Sequence, residues 1–329
     1  MMNQSIKRLG VLTSGGDSPG MNAALRSVVR TSMYHGLECT AIYRGYQGLI
    51  EGDFEDFTAR SVNNIINKGG TILKSARCET FRTPEGRAAA YEQIKKASID
   101  ALVVIGGDGS LTGALKLNHE FGIPIMGIPG TIDNDILGTD YTIGFDTAIN
   151  TVVDAIDKIR DTASSHNRLF FVEVMGRNVG LIALNSGVGA GAEEILIPEQ
   201  NLGLDRLLDS LKRSKASGKS SSIVVVAEGD KTGKNVFELK EYVEKHLPIY
   251  DVRVSVLGHM QRGGSPSCFD RVLASRMGVK AVESLIEGHS NYMVGIESNK
   301  MILTPIEKAI SGLTEIDEEL IRVSDIMSI

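Results

Sequence analysis

The chain has 329 residues, 42% of them hydrophobic and 23% charged, with 36 glycines, 3 cysteines and no tryptophan. At about 100–200 residues per domain, this length predicts two domains, each able to bury a core without disulfide or metal staples. Thirty-five Lys and Arg against 41 Asp and Glu leave a formal net charge of -6, so no general positive field exists to gather nucleic acid or an anionic membrane, and any anion site must be local.

Near the start, Lys7 and Arg8 precede an apolar run that Gly10 interrupts and Thr13 ends. No segment approaches the ~18 apolar residues of a membrane span, and the apolar region of a secretory signal is missing. Cys39, Cys78 and Cys268 are far apart and odd in number. That fits neither a disulfide framework nor a CxxC metal site and points to the reducing cytoplasm.

In chain order, runs rich in Val, Ile and Leu at 9–13, 101–105, 123–128, 169–174, 223–227 and 252–257 have the length of buried strands. Helical periodicity fills most of the gaps. Residues 21–35 follow Pro19, stop before Gly36 and bury Leu25, Val28 and Val29, leaving Arg26 and Arg30 one turn apart on the other face. Residues 146–160 align Ile149, Val152, Val153, Ile156 and Ile159 in one stripe, with Asp146 expected as N-cap. Residues 204–217 and 269–286 also read as amphipathic helices. The alternation predicts an α/β fold of two layered α/β/α domains with mostly parallel sheets. No linker-like stretch separates them, so the chain is expected to cross between domains, 1–143 with 260–310 in one and 144–259 with 311–329 in the other.

Glycines cluster where these strands end, in Gly15-Gly16-Asp17, Gly106-Gly107-Asp108-Gly109-Ser110, Met175-Gly176-Arg177 and Gly258-His259-Met260-Gln261-Arg262-Gly263-Gly264. In open α/β sheets the ligand crevice lies at this edge, and glycine lets backbone N–H groups approach phosphate. Any one loop reads equally as a strand-to-helix turn; four together point to a phosphate-rich ligand. No GxxxxGK[ST] motif occurs, and Gly229-Asp230-Lys231-Thr232-Gly233-Lys234 has the wrong spacing for one. Gly107-Asp108-Gly109 with Gly113 resembles GxGxxG but is one residue too long and holds an acid inside the turn. That acid would repel a pyrophosphate unless a cation intervened, so Asp108 points to Mg²⁺ and to phosphoryl rather than hydride transfer.

Gly130-Thr131-Ile132-Asp133-Asn134-Asp135 follows the strand at 123–128. One carboxylate there can take a substrate hydroxyl proton while the other supports the metal; the alternative is an Asx-rich turn capping the next helix. Arg77, Arg168, Arg177, Arg253 and Arg262 are candidate cations for a transferring phosphoryl group, each alone also readable as a solvated surface charge. Among the histidines only His259 sits in a glycine loop; His35, His119, His246 and His289 fall at helix ends, where a cation suits the dipole. HExxH does not occur, which argues against a zinc site of that kind.

Together these segments resemble the bacterial ATP-dependent 6-phosphofructokinase family, in the family's order from about Leu9 to Gly278. GGDG alone is shared with NAD kinases and diacylglycerol kinases; Thr-Ile-Asp-Asn-Asp with the later His-x-Gln-Arg is specific. The resemblance implies transfer of the ATP γ-phosphoryl to the 1-hydroxyl of D-fructose 6-phosphate, a glycolytic step giving fructose 1,6-bisphosphate and ADP. It assigns Gly16, Arg77, Cys78, Gly107, Asp108, Gly109 and Ser110 to ATP, Asp108 and Asp135 to Mg²⁺, and Asp133 to the base, with Arg77 and Arg177 facing the transferring group. Thr131, Ile132, Met175, Gly176, Arg177 and Glu228 fall to the sugar, and His259, Met260, Gln261 and Arg262 to the end carrying the 6-phosphate. Arg168 and Arg253 would reach it from a neighbouring subunit of a homotetramer.

The pyrophosphate-using branch usually has Asp at the position of Gly109 and Lys at that of Gly130, so both glycines favour ATP. Many relatives bind ADP as activator and phosphoenolpyruvate as inhibitor; Arg26, Arg30, Arg60, Arg160, Gly191, Glu193 and Lys219 match that site. Ala59 and Ser217 replace a common arginine and lysine, which weakens an anion site. The rival readings are a non-catalytic nucleotide sensor, which needs no Asp108, Asp133 and Arg177 set, and a dehydrogenase.

Overall fold

The runs at 9–13 and 101–105 carry no polar stripe because helices cover both faces of the strands they form. A computed structural model describes residues 6–166, 168–200, 203–219 and 221–328. In chain order it contains β1 (Arg8–Ser14), α1 (Met21–Tyr34), β2 (Glu38–Ile42), α2 (Gly45–Glu51), β3 (Phe54–Phe57), α3 (Pro84–Lys96), β4 (Ala101–Gly106), α4 (Asp108–Phe121) and β5 (Ile125–Pro129). Then come α5 (Phe145–His166), β6 (Arg168–Val174), α6 (Leu181–Gly189), β7 (Glu194–Leu196), α7 (Gly203–Ala216), β8 (Ser222–Ala227), α8 (Val236–His246) and β9 (Asp251–Val256). The chain closes with α9 (Cys268–Ile286), β10 (Tyr292–Glu297), β11 (Lys300–Pro305), α10 (Ile306–Ala309) and α11 (Glu318–Met327). It forms two units: residues up to Thr147 with Arg262–Thr314, and Ala148–Gln261 with the residues from Glu315 onward.

The first unit has a seven-stranded sheet in the order β11-β10-β5-β4-β1-β2-β3. Its inner pairings are parallel, and β3 and β11 run antiparallel at the edges. Strand side chains alternate between faces: Val103 and Ile105 join Leu25, Val28, Leu273 and Met277 of α1 and α9, while Leu102 and Val104 join Leu49, Ile94 and Leu111 of α2, α3 and α4. From β1 the chain moves outward to β2, then returns to build β4 on the other side of β1. That reversal opens a crevice beyond the carboxyl ends of β1 and β4.

The second unit has a four-stranded parallel sheet in the order β7-β8-β6-β9. Leu169, Phe171, Val224 and Val226 pack with Leu207 and Leu211 of α7 and Leu239 and Val243 of α8. Here too the order reverses, about β6, with β8 on one side and β9 on the other.

Three expectations need correction. The strand foreseen at 123–128 starts at Ile125, because Pro124 has no N–H and gives only its carbonyl to Leu102. The helix foreseen over 146–160 runs Phe145–His166, and Asp146 lies inside its first turn, accepting from the Ser267 hydroxyl. The segment around His259 is a short 3-10 turn, Gly258–Arg262, rather than an open loop. No helix among the described residues is long and apolar enough to cross a membrane.

Candidate functional site

Five segments meet at the first unit's crevice. β1 and β4 end side by side, with Ser14 opposite Gly106, and β4 and β5 likewise, with Gly106 opposite Pro129. Gly130 N–H continues the ladder to Gly106 C=O at 3.1 Å, so the loops carrying Gly16, Asp108 and Asp133 leave the sheet as neighbours. The 71–78 loop joins them through the Thr13 hydroxyl, which lies 2.8 Å from that of Thr71, and through the Ser75 hydroxyl, which donates to Gly15 C=O at 2.8 Å. This brings the exposed Arg77 and the half-buried Cys78 into the group. Arg262 donates to Asp17 C=O at 3.2 Å, and a Cβ on Gly16 would stand 2.6 Å from its guanidinium. Gly16 is therefore where the loop must lack a side chain for that cation to lie flat against it.

Asp108 and Gly109 are exposed in the first turn of α4, with Ser110 buried beneath them. A Cβ on Gly109 would meet nothing within 4 Å, so the backbone there faces open space. Helix N-terminal N–H groups beside open space can receive phosphate oxygens. Asp133 is 1% exposed; its N–H donates to the Thr131 hydroxyl at 3.2 Å, and the Thr142 hydroxyl donates to Thr131 C=O at 2.6 Å. Ile132 is wholly buried, backbone and side chain alike. Asp108, exposed, and Asp135, partly buried, supply hard carboxylate oxygens, the donors Mg²⁺ takes one or two at a time alongside substrate phosphates. Among the described residues no group of three or more His, Cys, Asp or Glu forms a larger cage.

The second unit gathers another set. Arg177, exposed after β6, holds a left-handed backbone with φ 52°, and its N–H donates to Glu228 at 2.8 Å. Met175 N–H donates to the Gln261 side chain at 3.2 Å, and Gln261 in turn donates to Gly258 C=O at 3.0 Å. Gln261 is fully buried, so its side chain fixes the Met175 backbone, whereas His259 and Met260 are exposed. Burial, reinforced by the charges of Glu228 and Asp230, raises the Glu173 carboxyl above its ordinary range. Arg168 and Arg253 both bind Asp251, at 2.9 Å and 2.5 Å. The Arg168 hydrogen bond, with the charges of both arginines, holds Asp251 below the usual carboxylate range.

The residues matched to effectors fall into two groups. On the first unit, burial and then the charge of Arg30 lower the Arg26 guanidinium, Arg30 donates to Asn63 at 3.0 Å, and Arg60 is exposed. On the second, Arg160 donates to the carbonyls of Ala190 and Gly191 at 2.7 and 2.8 Å, while the buried Glu193 lies 3.8 Å from Arg160 and 3.7 Å from Lys219.

The phosphofructokinase family model matches residues 8–285. The chain belongs to the phosphofructokinase family. It is 53% identical over 325 residues to ATP-dependent 6-phosphofructokinase 2 of Bacteroides thetaiotaomicron, covering 99% of each chain. It is 56% identical over 324 residues to the ATP-dependent 6-phosphofructokinase of Halalkalibacterium halodurans, covering 98% of this chain and all of the relative. Among solved structures, phosphofructokinase from Saccharomyces cerevisiae matches with a TM-score of 0.89 and 37% identity over 92% of this chain, which spans 45% of the yeast chain. A pyrophosphate-dependent phosphofructokinase from Nitrosospira multiformis shares the fold, with a TM-score of 0.87 at 22% identity, over 97% of this chain and 90% of that one.

Within this phosphofructokinase fold, Asn134 of the Thr-Ile-Asp-Asn-Asp motif has a structural role that the sequence did not specify. Asn134, between the two aspartates, has φ 55°; its side-chain Oδ1 accepts from Thr142 N–H at 2.7 Å and its side-chain Nδ2 donates to Asp140 C=O at 3.1 Å. Asn tolerates this backbone and clamps loops through its side chain, so an Asn between acids just after a strand was the available signal.

Proposed function

We propose that the chain is an ATP-dependent 6-phosphofructokinase, transferring the γ-phosphoryl of ATP to the 1-hydroxyl of D-fructose 6-phosphate in glycolysis. The observation that carries this is the meeting of the Gly16, Arg77, Asp108, Asp133 and Arg262 segments at one sheet edge. Gly16, Arg77, Cys78 and Gly107 to Ser110 hold ATP, with its phosphates toward the N-terminus of α4. Asp108, assisted by Asp135, holds Mg²⁺, which neutralises phosphate charge when bound.

Asp133 accepts the proton of the sugar 1-hydroxyl. The freed oxygen forms its bond to the γ-phosphorus as the bond from that phosphorus to the β–γ bridging oxygen breaks, and ADP leaves with the electron pair. Burial at 1% exposure keeps bulk water from competing for the base. Arg77 and Arg177 stabilise the equatorial oxygens, where negative charge accumulates. Thr131, Ile132, Met175, Gly176 and Glu228 position the sugar, and His259 and Arg262 bind its 6-phosphate. Met260 belongs to the same segment, and Gln261 acts by fixing Met175.

The active form is a cytoplasmic homotetramer in which Arg168 and Arg253, presented together by Asp251, serve a neighbouring subunit's substrate. ADP and phosphoenolpyruvate act at Arg26, Arg30, Arg60, Arg160, Gly191, Glu193 and Lys219. A coupled assay with fructose 6-phosphate tests the central reaction by comparing ATP with pyrophosphate as donor in Mg²⁺ buffer. Turnover with ATP and little with pyrophosphate is expected; the reverse preference, or no turnover with either, refutes the proposal.

A further inference from the structure

Two helices that start beside the site, α5 and α9, share their N-terminal caps. Asp270, in the first turn of α9, is fully buried, and its carboxylate accepts the N–H groups of Gly144 and Thr147 at 2.9 and 2.8 Å and the Thr147 hydroxyl at 2.5 Å. It thus satisfies N–H groups at the start of α5 that the helix cannot satisfy itself. The exchange is reciprocal: the Thr147 oxygen accepts Ser267 N–H at 2.9 Å, the Ser267 hydroxyl caps Asp270 N–H at 3.1 Å and also donates to Asp146 at 2.5 Å.

Three loops of the site converge on this knot. Gly144 closes the segment that carries Asp133, and Thr142, two residues before it, is tied to Asn134 and to Thr131 C=O. Ser267 closes the segment that begins with Arg262. Gly20, with φ 107°, closes the Gly16-Asp17 loop; a Cβ on it would stand 2.6 Å from Ile143 and 3.6 Å from the Asp270 Cβ. Burial raises the Asp270 carboxyl despite its three donors. A buried carboxylate is a costly way to cap a helix when serine or threonine would serve.

We infer that Asp270, acting through Thr147, is a positioning residue for phosphoryl transfer: it fixes the spacing of the Asp133 and Arg262 segments about the Gly16 loop. The inference rests on the kinase reading above. Reacting groups about 1 Å out of place can cost ~100-fold in rate, so such a knot controls turnover without touching a substrate.

The test uses the full chain with Asp270→Asn, Thr147→Val and Thr147→Ser, measuring kcat and both KM values well below each variant's unfolding temperature. Asn keeps one oxygen but turns an amide donor toward backbone N–H groups, and Val removes the bridging hydroxyl while keeping the shape. Both should lower kcat by about tenfold or more with KM for ATP within about twofold of wild type, while Thr147→Ser stays within about twofold in kcat. Folded Thr147→Val with wild-type kcat overturns the inference, even if its unfolding temperature falls. The same holds if Ser fails to restore what Val loses. If Asp270→Asn does not fold, the Val and Ser pair decides. Wild-type protein that turns over neither substrate pair refutes the kinase reading itself and this inference with it.

Discussion

At Gly109 the structure leaves open space over the first turn of α4, beside the exposed Asp108. A second carboxylate there would repel the phosphates of a nucleotide. Gly109→Asp is therefore expected to lower kcat/KM for ATP by about 10- to 100-fold, the scale of one charged contact, and to leave the thermal unfolding midpoint within a few degrees. Unchanged ATP use would place the triphosphate elsewhere. The glycine loops and Asp133 were legible at this scale because strand ends, turn residues and acids are local signals. Gln261 stood in the His-x-Gln-Arg motif, but its buried role did not show: its partner, Met175 N–H, lies 86 positions away, and nothing near either residue encodes the pairing. Asp270 was invisible for the same reason, since its partners are 123 and 126 positions away.

Among elements, α3 and α4 are joined by an ion pair in which the mostly buried Arg87 donates to Glu120 at 2.7 and 2.5 Å and also to the carbonyls of Phe81 and Arg82. The Arg87 hydrogen bond, with its charge, holds Glu120 below its ordinary range. A depressed folded pKa gives stability that is full above the unfolded carboxylate value and is lost as pH falls through the folded one. Glu120→Gln should cost about 1–2 kcal/mol at pH 7, a gap that narrows as the pH drops below about 4. Urea denaturation of both proteins across that range checks it; a constant gap would mean that the Glu120 charge contributes nothing. Helices with long apolar stripes, such as α5, were readable. The hairpin of β10 and β11 was overlooked although Ser298 and Asn299, both at positive φ, form the two-residue turn that joins such strands. β7, with three residues, is too short to show a period.

For the whole molecule, the chain passes between the two units three times, and the reversal points of both sheets place the motif loops at strand ends. The mostly parallel α/β character and a chain that crosses between domains are expectations a sequence can give, whereas the order of the strands is not. Strand order depends on long-range pairing that a local pattern does not encode. Regulation belongs to this scale. ADP or phosphoenolpyruvate should shift half-saturation by fructose 6-phosphate, and Arg160→Ala should abolish the shift with kcat little changed. It removes a guanidinium bound to two carbonyls beside Glu193 and Lys219. A hyperbolic, effector-blind wild-type curve would contradict a working effector site and would fit the loss of cations at Ala59 and Ser217.

The reaction itself stands or falls on Asp133. Steady-state kinetics of Asp133→Asn with Mg²⁺, ATP and fructose 6-phosphate should give a kcat lowered by about 10²- to 10⁴-fold, the contribution of a positioned base, with half-saturation for both substrates changed only modestly. A folded variant that retains wild-type turnover would contradict the account.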